Sequence, residues 1–353
     1  MAGGRREIDM RWRWYRCLLI LIPLAAFQAF PNASPAQSAE EFYRGKQIKL
    51  IIGNAPGADY DLGGRLLARY MSRHTPGAPT IVVQNMQGAA GIVAANNIYN
   101  IAPKDGSVFA SLSRNMPGQG AIGREELKAD PRRFSWIGSS GSNTNVCYVR
   151  DESALKTADD LFAQELIVGG VGPGSAQTFV PTVLNRIIKT KFRIVEGYKG
   201  VADGLLAMQR AEIDGLCSGY GTIRVTQAAA LKDGKIRILL QSGAEPLAER
   251  PDVPSIYHYA QTEREKRLLG FVFSSDEFGR PYFAPPGIPA DRLKALRTAL
   301  AETLKDPELQ SEADKLQMDV SYRSGEALQA FVNDLYATPK ELIAEIKEIM
   351  PAP

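Results

Sequence analysis

Short apolar runs alternate through most of this chain with longer stretches whose apolar positions recur every third or fourth residue. The runs predict strands over 48–52, 80–83, 107–112, 136–138, 146–149, 166–168, 193–195, 213–216 and 236–240. The longer stretches predict helices over 61–73, 90–101, 175–190, 202–211 and 222–232. Such alternation argues for an α/β fold with parallel, doubly wound sheets, whose ligands sit beyond the carboxyl ends of the strands. From 290 to 350 the pattern is mostly helical, with Leu293, Leu296, Leu300 and Leu304 marking one face. A polar run over 139–145 reads as a crossing between two lobes. The first lobe is expected from 40–142 and 222–353, the second from 143–221, with a hinge and a cleft between them.

Two turns carry the chemistry. In the first, Leu50-Ile51-Ile52 breaks into Gly53-Asn54-Ala55-Pro56-Gly57-Ala58-Asp59-Tyr60-Asp61. Asp61 is placed to cap a helix marked by Leu62, Leu66, Leu67 and Tyr70. In the second, Leu166-Ile167-Val168 runs into Gly169-Gly170-Val171-Gly172-Pro173-Gly174-Ser175, where Ser175 is the expected cap for a helix bearing Phe179, Val183 and Ile187. A strand, a glycine-bearing loop and a helix start leave backbone N–H groups without intrahelical partners, and the helix dipole adds to them, so anions bind there. Neither loop has the Lys-[Ser/Thr] ending of a phosphate loop or the G-x-G-x-x-G spacing of a dinucleotide site, so no cofactor is implied. If the loops lie on opposite lobes, two helix starts face one gap, a geometry suited to a ligand with two carboxylates.

The N-terminus changes how the charge is read. Arg5, Arg6, Arg11, Arg13 and Arg16 precede an apolar stretch over 17–30, and 33–39 is small and polar. That stretch is shorter than the roughly 20 residues needed to span a bilayer, so 1–39 reads as a secretory signal cut near Ala36-Gln37-Ser38. An uncleaved anchor is the alternative. The whole chain has 42 Lys and Arg against 39 Asp and Glu. Those five arginines stand against only Glu7 and Asp9 in the leader, so the remainder is electrically balanced. That balance excludes a nucleic-acid surface. About 314 residues remain, 44% of the whole being apolar, enough for roughly two cores. Cys147 and Cys217 pair in an oxidising compartment or are small buried residues; their spacing fits no metal site.

In these motifs the sequence resembles the extracytoplasmic solute receptors of tripartite tricarboxylate transporters, the Bug or TctC family. The resemblance is carried by Lys49-Leu50-Ile51-Ile52 with Pro56-Gly57 and Asp61, by Val82-Val83-Gln84-Asn85-Met86-Gln87-Gly88-Ala89-Ala90-Gly91, and by Ala102-Pro103-Lys104-Asp105-Gly106. It continues in Gly172-Pro173-Gly174-Ser175, Glu196-Gly197-Tyr198-Lys199-Gly200, Glu212-Ile213-Asp214, Arg250-Pro251-Asp252-Val253-Pro254 and Ala284-Pro285-Pro286-Gly287-Ile288-Pro289, in family order over nearly the whole mature chain. The resemblance implies a periplasmic-binding-protein fold (Venus flytrap, type II-like) with a helical C-terminal segment. It implies a periplasmic monomer that binds a small carboxylate between its lobes and delivers it to the membrane permease of the transporter. Carried over position by position, the ligand-binding residues are Gly57, Ala58, Asp59, Tyr60 and Asp61 on one lobe and Gly174, Ser175 and Ala176 on the other. Ser113, Arg114 and Asn115 line the same cleft, with Asn143 at the crossing and Tyr198.

Asp59 stands where the family usually has glycine. Either it points to water or it meets a cationic or hydroxyl-bearing ligand, with Arg114 available to balance its charge. Two other readings stay open. A secreted two-lobed enzyme needs a nucleophile beside a base, and the chain offers only His74 and His258 and no G-x-S-x-G turn. A sensor presenting ligand to a signalling partner differs from a transport receptor only in that partner. His74 and His258 read as surface or capping residues, and Trp136 as core.

Overall fold

The computed structural model describes residues 37–141, 143–172 and 175–349. Most of the expected leader therefore lies outside the described residues. Its last three positions do not: after Gln37, Ser38 caps a short helix, Ala39–Tyr43, through a capping box with Glu41, and Phe42 and Tyr43 are buried in the core. The folded part thus begins two residues earlier than the sequence suggests.

The strands, in chain order, are β1 (Gln47–Ile52), β2 (Thr80–Asn85), β3 (Val108–Ser111), β4 (Ser135–Ser140), β5 (Asn145–Arg150), β6 (Leu166–Gly170), β7 (Phe192–Glu196), β8 (Gly215–Gly219), β9 (Ile236–Gln241), β10 (Pro281–Ala284) and β11 (Tyr322–Ser324). They form two sheets, ordered β11-β4-β10-β3-β1-β2 and β7-β6-β8-β5-β9. All nine predicted strands are present; β10 and β11 went unpredicted. The sheets are mixed rather than parallel. β1 runs parallel to β2 and β3, and β6 to β7 and β8, but β10 is antiparallel to β3 and β4, and β5 to β8 and β9. The reason is the crossing: chain that leaves one sheet and enters the other arrives at its new neighbours running the opposite way.

Both sheets are covered on both faces, as strand alternation requires. In the first, Ile48, Leu50 and Ile52 point into one buried cluster and Ile51 into the other. Trp136, fully buried against Phe278 and Phe283, is core, as expected. In the second, Cys147 and Val149 face one layer while Val146 and Tyr148 face its opposite. Cys147 and Cys217 stand directly opposite each other on β5 and β8 with Cα atoms 4.1 Å apart, and they form a disulfide.

The second lobe extends further along the chain than the expected end at 221. β9 pairs with β5, and the helix Glu263–Val272 lays Leu268, Leu269, Phe271 and Val272 on the same layer. The chain crosses between lobes at 141–144 and returns through 242–280. It then crosses a third time: the helix Gly325–Tyr336 packs on β4, while Ile346 and Ile349 of the helix Lys340–Ile349 join the second lobe's core. Leu296, Leu300 and Leu304 of the helix Ala290–Lys305 are buried as their spacing predicted, with Leu293 packed beside them. His74, in the last turn of its helix, bonds Asp306 through Nε2 at 2.8 Å, and His258 is exposed.

Candidate functional site

Each sheet has one strand from which the order departs in both directions: β1 lies between β2 and β3, and β6 between β7 and β8. At such a switch point the following loops turn apart and leave a crevice at the strands' carboxyl ends. The two turns singled out in the sequence follow β1 and β6. They are therefore the switch-point loops of their sheets.

After β1, the helix begins at Asp59 rather than Asp61, with Ala58 as an N-cap that offers no side-chain bond. Asp61 is buried in the first turn and folds back on the loop. Its carboxylate accepts from Gly57 N–H at 2.8 Å, from Asn85 Nδ2 at 2.9 Å and from Arg65 Nε at 3.0 Å. Burial pushes its pKa up, and those bonds, from Arg65, Gly57 and Asn85, outweigh burial and bring it down to about 2. Gly57 has φ +79°, a conformation that suits glycine. Here the expectation of open amides needs correcting, since the chain's own carboxylate fills the Gly57 niche. The N–H groups of Asp59 and Tyr60, at the first positions of the helix, have no intrahelical acceptor.

Asp59 meets a protein partner that neither reading of it anticipated. Arg280 grips it with Nε and Nη2, each at 2.9 Å, and Arg280 Nη1 donates to the carbonyls of Asp319 and Ser140. Arg280, not Arg114, balances Asp59. Tyr60 is buried, and its hydroxyl accepts from Arg114 N–H at 3.0 Å and donates to Gly279 O at 3.3 Å, so it ties the loops after β1 and β3 together. A Cβ at Gly279 would stand 1.9 Å from Gly141 O, so only glycine fits there. Ser113 Oγ accepts from Asn115 N–H, and Asn115 precedes the helix Met116–Ala121 without capping it by its side chain. The Arg114 guanidinium lies 5.9 Å from the Tyr60 ring centroid. Among the described residues it makes no hydrogen bond or ion pair.

After β6, Ser175 caps the helix Ala176–Ile187 as predicted, accepting from Thr178 N–H and donating to Gly172 O. Gly174 lies outside the described residues. Thr178, missed in the sequence, takes the loop's amides: its Oγ1 accepts from Val171 N–H at 3.2 Å and Gly172 N–H at 3.1 Å and donates to Glu196. The Val171 and Gly172 amides, too, are taken from within. Tyr198 N–H donates to Gly170 O and its ring packs beside Gly169.

A cavity of about 430 Å³ lies between the loop after β1, the crossing at 143–144 and the end of β8, within the range of small-ligand sites. Of the expected residues, Asp59, Arg114 and Asn143 line it; Gly57, Ala58, Tyr60, Asp61, Ser113, Asn115, Ser175, Ala176 and Tyr198 do not. Tyr220, after β8, and Arg280, before β10, line it without having been expected. Neither had a local signal, because each acquires meaning only from a partner far along the chain. Behind it, Asp276 is buried where both crossings meet, accepting from Asn143, Asn145 and the Ser242 hydroxyl. Burial pushes its pKa up to about 6 against the pull of Ser242, Asn145, Asn143 and Arg114. Among the described residues no three His, Cys, Asp or Glu side chains stand together as metal ligands.

Comparison with known proteins adds the remaining observations. A family model described as the tripartite tricarboxylate transporter family receptor, TctC, matches residues 64–347. A UPF0065 protein of Cupriavidus necator is 23% identical over 320 residues, covering 89% of this chain and 91% of its own. Another UPF0065 protein, from Bordetella bronchiseptica, is 23% identical over 339 residues, covering 94% and 89%. Among solved structures, a TctC solute-binding protein from Polaromonas, without ligand, aligns with a TM-score of 0.66 at 20% identity over 86% of this chain and 99% of that one. An R. palustris protein solved with adipate aligns at 0.51 and 19% identity over 87% and 99%.

Proposed function

Because the chain belongs to the tripartite tricarboxylate transporter receptor family, a family of periplasmic solute-binding proteins, we propose that it captures a small organic acid between its lobes and hands it to a membrane permease of that transporter class. The observation that carries this reading is Arg114. It places a guanidinium on a cavity of about 430 Å³ with no hydrogen bond or ion pair to a protein carboxylate among the described residues. An arginine left so is a ready partner for a carboxylate, which it binds through two parallel N–H bonds. The helix start at Asp59 adds unmatched amides beside it. Closure about the crossings at 141–144 and 242–280 then brings the β8 end, with Tyr220, onto the bound acid.

Equilibrium titration of the exported protein against a panel of mono-, di- and tricarboxylates, adipate among them, tests this. Binding of one panel acid with a rise in unfolding free energy of about 2.7 kcal/mol at a hundredfold excess over Kd is expected. Arg114→Gln is expected to lose that binding with unchanged thermal stability. A panel with neither binding nor thermal shift overturns the reading.

A further inference from the structure

Three arginines line the cavity: Arg114, Arg224 and Arg280. Two are already engaged. Asp59 occupies the fork of Arg280 with two bonds of 2.9 Å, and Glu249 lies 3.3 Å from Arg224 while also accepting from the Tyr220 hydroxyl at 3.0 Å. Asp59 and Glu249 thus each hold one of these arginines, and Asp319 lines the same space while Asp276 lies buried behind it. One carboxylate from outside has a place, on Arg114. A second has to displace Asp59 from Arg280 or Glu249 from Arg224, or lie beside them unpaired. Arg280 is only 12% exposed and is also bound to two carbonyls, so its fork stays turned to the place that Asp59 fills. On the second lobe, Thr178 already fills the Val171 and Gly172 amides, and the Glu196 carboxylate bonds Thr178.

We propose that the cavity selects a monocarboxylate, an acid whose remaining part is uncharged, and that Asp59 is the residue that excludes a second carboxylate by holding Arg280. This rests on the organic-acid reading above and narrows it. The rest of the ligand meets the hydroxyls of Thr144, Tyr220 and Thr222, the Asn143 amide, and apolar surface at Leu247 and Val320.

The test is calorimetric titration of the exported protein with chain-matched pairs from three to eight carbons, such as hexanoate and adipate. For the best-bound chain length the monocarboxylate is expected to bind at least thirtyfold tighter than its dicarboxylate counterpart. Asp59→Asn, checked for unchanged melting, is expected to narrow that ratio about tenfold by tightening the dicarboxylate. Arg114→Gln is expected to lose both. A dicarboxylate that binds the wild type as tightly as its pair overturns the selectivity while leaving the organic-acid reading intact. A ratio that Asp59→Asn leaves unmoved overturns the role of Asp59. Absence of binding by every acid overturns both readings together.

Discussion

The loops after β1 and β6 resemble each other in sequence, each a strand, a glycine turn and a helix start, yet they are held in opposite ways. In the first lobe the amide of Gly57 is taken by the ionised Asp61, and Asp59 is locked to Arg280. In the second lobe the amides of Val171 and Gly172 are taken by the Thr178 hydroxyl, and the sheet behind them is stapled by Cys147–Cys217. One loop has an ionised carboxylate directly on its amide; the other has a hydroxyl that relays to Glu196, and a covalent link behind it. Similar backbone geometry therefore does not imply that the same chemistry holds it.

This contrast can be broken at four points. The largest effect belongs to the disulfide, which closes a loop with a sequence separation of 70. By the chain-entropy argument, replacing both cysteines with alanine lowers stability by about 4 kcal/mol, read from the urea midpoint. Next comes Asp276, between the lobes. Its raised pKa means the native state binds the proton more tightly than the unfolded chain, so stability falls as pH rises from about 4 to about 6. The expected drop is about 3 kcal/mol, and Asp276→Asn abolishes it. Asp61 has the opposite sign: its depressed pKa stabilises the fold above pH 4, and that contribution disappears as pH falls toward 2. Asp61→Asn is expected to cost roughly 2 kcal/mol at pH 7 and almost nothing at pH 2. The smallest change is Thr178→Val, about 1 kcal/mol, seen as faster amide exchange at Val171 and Gly172. A first loop insensitive to acid removes the distinction.

Much of the fold was legible because strand and helix periods are local. β1 runs into a glycine and β6 ends in one, and the strand–turn–helix order alone marked both loops. Strand direction was not legible. Whether β10 runs with or against β3 depends on where the chain returns from, and Pro281–Ala284 is too short and too uniformly buried to show a period. Cysteine pairing was decided by register: only once Cys147 is known to face Cys217 across β5 and β8 does one alternative fall away. The site was half visible. Arg114 and Asn143 could be named because they end a strand and sit in a crossing. Arg280 could not, being joined to Asp59 only by the tertiary fold, and Asp61 was misassigned as a cap because its side chain turns back toward the preceding loop.

The third passage of the backbone between the lobes, just before Lys340–Ile349, has a mechanical result. Two adjacent connections would let the halves swivel as well as fold together. A further tether, anchored at Ile346 and Ile349 in the far core, resists the swivel and leaves bending as the soft coordinate. Two lobes so strung open and shut along nearly a single path.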